Sequence, residues 1–257
     1  MKHIFAFEKI EDYEKHQPII QRFSERLMSF EQAMEQNYAL TDKPKGIVWT
    51  SAELATSVLS EIPIPAYTNK DIIYISPDLD AWRNLFIRQL DGKDLPHIRR
   101  FYENYSENHL FTILAHELTH HSDLFPDEFD DEREDSIWFE EGMCEYLPRK
   151  LLLNKAEFDE IAAVEKELVE VFSEQYGSRS IDEFGSNSYM GSISSIMYDY
   201  WRSFLAVKHL VEERFDNDVL TVFARYHKWH EEGRKTSLTE HFGLGVNIAG
   251  KIQRLKE

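Results

Sequence analysis

The chain has 257 residues, enough for one large domain or two small ones. Its composition, with 42% hydrophobic and 30% charged residues, is that of a folded globular protein. Acidic residues outnumber basic ones by 47 to 29, and the net charge of -18 disfavours nucleic acid and membranes as partners. The single cysteine, Cys144, excludes an internal disulfide, and neither a signal peptide nor a long apolar run is visible, so we expect a cytoplasmic protein.

The N-terminal part of the chain, residues 1–95, is predicted to combine a helix with a small sheet. Apolar side chains recur every three to four positions over residues 12–36, which predicts the helix. GIVWT (46–50) and DIIYIS (71–76) have the composition of strands. EIPIPAY (61–67) lies between them and is irregular or an edge, because proline cannot donate to a sheet ladder.

The remainder of the chain, from residue 78, is almost wholly helical in pattern. One helix begins after Pro77 and Asp78, and a second, with Ser106 as its N-cap, ends in HELTHH. A third follows the acidic turn PDEFDDERED, and three or four more occupy 155–257, including a long one near 196–214. We therefore predict an α+β fold that is mostly helical, with a small mixed sheet beside a helical body.

The segment with the clearest chemistry is TILAHELTHH (112–121). His116 and His120 are four residues apart, so on a helix they share one face and can bind a single ion through their imidazole nitrogens. Glu117 lies beside that face, where it can take a proton from an activated water without being a ligand. His121 points about 100° away from His120, so we expect it on the substrate side or behind the ligands.

A third ligand is available in WFEEGMCEY (138–146). Twenty residues lie between His120 and Glu141, enough for a loop and a returning helix. Two imidazoles and one carboxylate form a known hydrolytic zinc set that leaves the fourth position open to water. We therefore predict one catalytic unit, 1–257, in which 96–153 holds the metal-binding helices and 154–257 is a C-terminal helical part.

HELTH followed by WFEEGMCEYLPR resembles the gluzincin metallopeptidases, particularly the leucine-type aminopeptidases and related peptidase-MA-like domains. Their second motif is Trp, two residues, Glu-Gly and then an aromatic residue. The resemblance aligns Glu141 with the glutamate ligand; we expect Glu140 to be a solvated acid, and the reverse assignment of these two neighbouring acids is the alternative. It also implies that Glu145 hydrogen-bonds a histidine ligand, although a plain surface acid is an equal alternative. Cys144 stays outside the site as a small hydrophobe.

The resembling peptidases also use a tyrosine, roughly sixty residues after the glutamate ligand and at the start of a helix, to stabilise the oxyanion. Tyr200, in DYWRSFLAVKHLVEERF, lies 59 residues after Glu141 and is the first candidate. Tyr198 is the second, although on a helix it points to a different face from Tyr200. The remaining alternatives are Tyr189 or no tyrosine at all, and Tyr189 is disfavoured because the following ISSIMYDY does not continue the family's helix.

The resemblance covers roughly residues 108–215 and implies a zinc-dependent metallopeptidase that holds one Zn²⁺ ion and cleaves a peptide or an unfolded protein. The Gly-x-Met-Glu-Asn segment by which the aminopeptidases bind a free amino end is absent upstream, so we expect an endopeptidase-like enzyme. DIIYIS is either the edge strand that pairs with an extended substrate or a plain sheet member. The alternative function is a catalytically silent, zinc-containing peptide-binding or regulatory module of the same fold.

Other metal patterns are weaker, and several properties stay open. His227 and His230 are three apart, but no third ligand is evident, so we expect a solvated helix rim. The acidic turn PDEFDDERED (126–135) lacks the spaced oxygen ligands and the glycine of a calcium loop. Cobalt or manganese could occupy the same ligands as zinc. The sequence defines neither the oligomeric state nor the cleavage preference.

Overall fold

The structure, a computed structural model, describes residues 1–129, 131 and 133–244. It confirms an α+β chain that is mostly helical and has one small mixed sheet. Two predictions fall partly outside the described residues, namely Asp130 and Glu132 of the acidic turn and residues 245–257 of the C-terminal part. Over the ranges that are described, no helix combines the length and the apolar character needed to cross a membrane.

The chain divides into two compact units. One comprises Met1–Phe125 and Leu147–Leu153, and the other comprises Pro126–Tyr146 and the chain from Asn154 onward. The predicted organisation as a single catalytic unit, with changes at residues 95 and 153, stays a prediction.

The first unit contains the long N-terminal helix that the sequence predicts. Its helices are α1 (Ile10–Asn37), α2 (Ala52–Ser57), α3 (Leu79–Arg88), α4 (Pro96–Glu103) and α5 (Glu107–Thr119). The apolar side chains that repeat along α1 are all buried: Ile19, Ile20, Phe23, Leu27, Phe30 and Met34. Asp78 is the N-cap of α3 and accepts hydrogen bonds from the backbone of Asp80 and Ala81, which confirms the predicted start.

The sheet of the first unit has four strands in the order β1-β2-β4-β3, where β1 is Lys2–Ala6, β2 is Gly46–Thr50, β3 is Ala66–Thr68 and β4 is Ile72–Ile75. β1 and β4 flank β2 in parallel, and β3 pairs with β4 antiparallel. β4 therefore has a neighbour on each side, and the interpretation of DIIYIS as an edge strand is wrong. β1 and β3 form the edges.

The second unit is helical in its described part. Its helices are the part of α6 (Trp138–Leu152) up to Tyr146, α7 (Lys155–Tyr176), α8 (Ile193–His209), α9 (Val219–Glu231) and α10 (Leu238–His241). A π-helical turn, Leu210–Arg214, extends α8, so the long helix predicted near 196–214 is confirmed with an earlier start. Two 3₁₀ turns, Ile181–Glu183 and Ser186–Met190, lie between α7 and α8.

Candidate metal centre

Helix α5 is an apolar helix that carries the HELTHH segment at its C-terminal end. The hydroxyl oxygen of Ser106 accepts a hydrogen bond from the backbone N–H of His109 at 3.3 Å, which confirms the predicted N-cap. All residues from Leu114 to Thr119 are buried, so packing stabilises this part of the helix. His120 is the C-cap, but its φ of -56° and ψ of -22° keep it one helical turn from His116.

The two histidines direct the same ring nitrogen toward a common point. Nε2 of His120 lies 3.1 Å from Nε2 of His116, and the rings are inclined by 69°. A tetrahedral zinc ion with Zn–N bonds of about 2.0 to 2.1 Å separates two nitrogen ligands by about 3.3 Å. The observed separation therefore fits chelation of one ion.

Glu141 joins this pair. One ligand atom from each of His116, His120 and Glu141 lies within 4.8 Å of the others, and the part of the chain that the structure describes contains no other such group of three. Two imidazoles and one carboxylate are a donor set that suits zinc. Glu117, the expected proton acceptor, is buried with 7% of its surface exposed.

Glu141 lies on α6, next to Gly142, which packs tightly against α8. A Cβ atom at Gly142 would lie 2.4 Å from the carbonyl oxygen of Ser203 and 2.7 Å from Cγ2 of Val207, so only glycine allows this approach. The neighbouring Glu140 forms an ion pair with Arg133 at 3.5 Å, and its side chain is 21% exposed. Glu140 is therefore partly exposed, and its carboxylate is paired with Arg133 as well as being in contact with solvent.

The structure places two tyrosines near Glu141 and a third elsewhere. The hydroxyl of Tyr189 donates a hydrogen bond to Oε1 of Glu141 at 2.9 Å, and it lies 2.9 Å from the hydroxyl of Tyr200. Tyr198 is buried against the guanidinium of Arg202, and its burial raises the pKa of its hydroxyl. Tyr198 and Tyr200 thus have different surroundings, as their spacing predicts.

The reason for disfavouring Tyr189 is wrong. The segment that follows it does continue as a helix, because α8 begins at Ile193 with Ser192 as its N-cap. Tyr200 is consequently inside α8, not at its start. Tyr189 is the tyrosine that contacts Glu141 directly, and a helix start at Ser192 removes the reason given against it.

The remaining candidates have other environments. Nε2 of His121 lies 2.8 Å from Oγ1 of Thr68 on β3, and burial, assisted by repulsion from His120, lowers the pKa of His121 to about 3. Glu145 lies one turn beyond Glu141 and is partly exposed. Cys144 is fully buried, as expected of a small hydrophobe.

The acidic turn and the His227/His230 pair do not form a metal group in the described residues. Asp127 of the turn instead accepts hydrogen bonds from the guanidinium groups of Arg133 and Arg234. Nε2 of His230 lies 3.8 Å from the same carboxylate. These ion pairs give the turn a structural role.

Comparison with protein-family models, curated proteins and solved structures gave no match to this chain. The fold and the site define an α+β protein with a group of three possible metal ligands. Membership of the gluzincin peptidases rests on the two motifs and stays a prediction.

Proposed function

We propose that this protein is a zinc-dependent metallopeptidase of gluzincin type. His116, His120 and Glu141 hold one Zn²⁺ ion, and the substrate is a peptide or an unfolded protein in the cytoplasm. The observation that carries the proposal is the convergence of three ligand atoms of the right chemistry within 4.8 Å. The low exposure of Glu117, directly after the first histidine, supports it further.

The residues around the metal position have complementary tasks in peptide hydrolysis. When bound, zinc supplies Lewis-acid chemistry that polarises a carbonyl and lowers the pKa of water. Glu117 accepts a proton from the attacking water on its carboxylate and delivers it to the leaving amine. The hydroxyl of Tyr200 donates a hydrogen bond to the carbonyl oxygen as negative charge develops there.

Zinc content and peptide hydrolysis, measured on the same preparations, test the proposal. The wild-type chain should bind about one zinc ion and cleave peptides of a mixed library. Glu117→Gln should keep the zinc and lose about 10²- to 10⁴-fold in rate, because glutamine cannot accept the proton. Glu140→Gln is the matched control, since this neighbouring acid pairs with Arg133 and should retain both properties.

Two outcomes separate the possible failures. A wild-type chain that binds no zinc at stoichiometric supply contradicts the proposal. A zinc-loaded chain that cleaves nothing in a broad peptide library indicates the catalytically silent binding module.

A further inference from the structure

We infer that Tyr189 is a positioning residue that orients the carboxylate of Glu141 for metal binding. The inference rests on the proposed function, because it concerns how firmly a ligand of that metal is held. It assigns to Tyr189 a role that differs from the oxyanion stabilisation proposed for Tyr200.

The hydrogen bonds define the direction of the contacts. An ionised carboxylate only accepts, so the single proton of the Tyr189 hydroxyl is donated to Oε1 of Glu141 at 2.9 Å. In the substrate-free protein the hydroxyl of Tyr200, also 2.9 Å from that of Tyr189, is then the donor to Tyr189, and this single proton turns to the carbonyl oxygen when a substrate is bound. The result is a series of two hydrogen bonds, in which the hydroxyl of Tyr200 donates to that of Tyr189 and the hydroxyl of Tyr189 donates to Glu141.

This series of hydrogen bonds gives the two tyrosines different effects on the affinity for the metal. A donor on one carboxylate oxygen restricts rotation of the group and favours coordination through the other oxygen. Hydrogen-bond partners of this kind typically change metal affinity about 10- to 100-fold when they are removed. In this series of hydrogen bonds Tyr200 reaches Glu141 through Tyr189, so removal of the Tyr200 hydroxyl should lower the zinc affinity less.

The segment that carries Tyr189 is fastened to the residues that precede α6. The backbone N–H of Ile137 donates to the carbonyl of Phe184 at 3.1 Å, and that of Ser186 donates to the carbonyl of Arg133 at 2.9 Å. The indole of Trp138, the first residue of α6, donates to Asp182 at 2.9 Å. Tyr189 and Glu141 therefore belong to one hydrogen-bonded framework.

Gly185 shows how closely this framework is packed. A Cβ atom at this position would lie 1.9 Å from the carbonyl oxygen of Glu134, so no other residue fits without moving the backbone. The ring centroids of Phe184 and Tyr200 lie 6.0 Å and 6.5 Å from that of Tyr189, so these two rings pack against its sides. Backbone and side-chain contacts thus fix the direction of the Tyr189 hydroxyl.

Zinc affinity, measured by competition with a chromophoric chelator, tests the inference without using turnover. Tyr189→Phe keeps the ring and removes the donor, so it should bind zinc about 10- to 100-fold more weakly than wild type. Tyr200→Phe should change the affinity by less than about 10-fold. Tyr198→Phe removes a hydroxyl from the same helix as Tyr200, away from Glu141, and should leave the affinity unchanged. Far-UV circular dichroism of the metal-free proteins verifies that each variant is folded.

The outcomes separate this inference from the proposed function. If wild type binds zinc and a folded Tyr189→Phe binds it equally well, the positioning role is overturned and the proposed function stands. If Tyr198→Phe loses as much affinity as Tyr189→Phe, the effect is not specific and the positioning role is also overturned. If wild type binds no zinc, the proposed function is overturned, and the inference with it.

Discussion

Replacing Gly142 with alanine tests whether the close approach of α6 and α8 determines the position of Glu141. The added Cβ would lie 2.4 Å from the carbonyl oxygen of Ser203, whereas ordinary contacts begin at 3.4 Å. One of the two helices must therefore shift by about 1 Å. The obstacle is a backbone atom, so rotation of a side chain cannot relieve the contact.

Two effects of this substitution oppose each other. Alanine has a higher helix propensity than glycine, by about 1 kcal/mol. Overpacking a dense interior costs about 1 to 3 kcal/mol, and a backbone obstacle favours the upper end of that range. We expect a net loss of about 1 to 2 kcal/mol, or about 2 to 8 °C in melting temperature for a chain of this size. A displacement of about 1 Å in the catalytic groups also costs about 100-fold in rate.

Thermal unfolding of metal-free Gly142→Ala, followed by circular dichroism, measures the first quantity, and peptide hydrolysis measures the second. A double-mutant cycle with Val207→Ala tests whether the backbone of Ser203 or the side chain of Val207 obstructs the added Cβ. Val207 contributes the more distant contact, 2.7 Å from the added Cβ, so shortening it should not restore the loss. A melting temperature equal to or above wild type, or full recovery in the double variant, would refute the reasoning.

Three further predictions concern the ligand, the α5 helix and pH. Glu141→Gln should abolish stoichiometric zinc binding while Glu140→Gln retains it, as metal analysis would show. The reverse result would mean that Glu140, and not Glu141, is the ligand. Ser106→Ala should lower the melting temperature by about 2 to 4 °C through the loss of an N-cap worth about 1 kcal/mol, and Ser106→Asn should not. Burial lowers the pKa of His16 below 6.5, and the nearby carboxylate of Asp78 partly offsets this effect. The unfolded chain therefore binds a proton at His16 more readily than the folded protein, so the free energy of unfolding falls as the pH drops below 6.5. Urea midpoints at about pH 7.5 and 5.5 should therefore differ more for wild type than for His16→Gln; equal differences would exclude this role.

Features encoded in a short stretch of sequence were predictable. The six apolar residues of α1 repeat at helical spacing and are all buried, and Ser106 caps α5 as its side chain suggests. β1 was not predicted, because no feature of its own short sequence identifies it as a strand. Its partner β2 begins at residue 46, and its own side chains from Lys2 to Phe5 are exposed, so no alternation marks it as a strand.

The choice among neighbouring site residues depends on distant partners. Nothing in the local pattern separates Glu140 from Glu141, whereas in the structure Arg133 pairs with Glu140. The start of α8 was misplaced because its N-cap and first residues together include three serines, a composition typical of loops. Ser192 is in fact the N-cap, while Ser194 and Ser195 are buried inside the helix. That error lowered the rank of Tyr189.

Gly185 has a consequence for large-scale mutagenesis. In a saturation library selected for peptide hydrolysis, position 185 should tolerate as few residues as His116, although glycine contributes no side-chain atom to the chemistry. A parallel selection for the amount of folded protein should distinguish the two positions. Substitutions at Gly185 should lower abundance because the backbone at Glu134 obstructs every side chain, whereas substitutions at His116 should lower activity with little change in abundance.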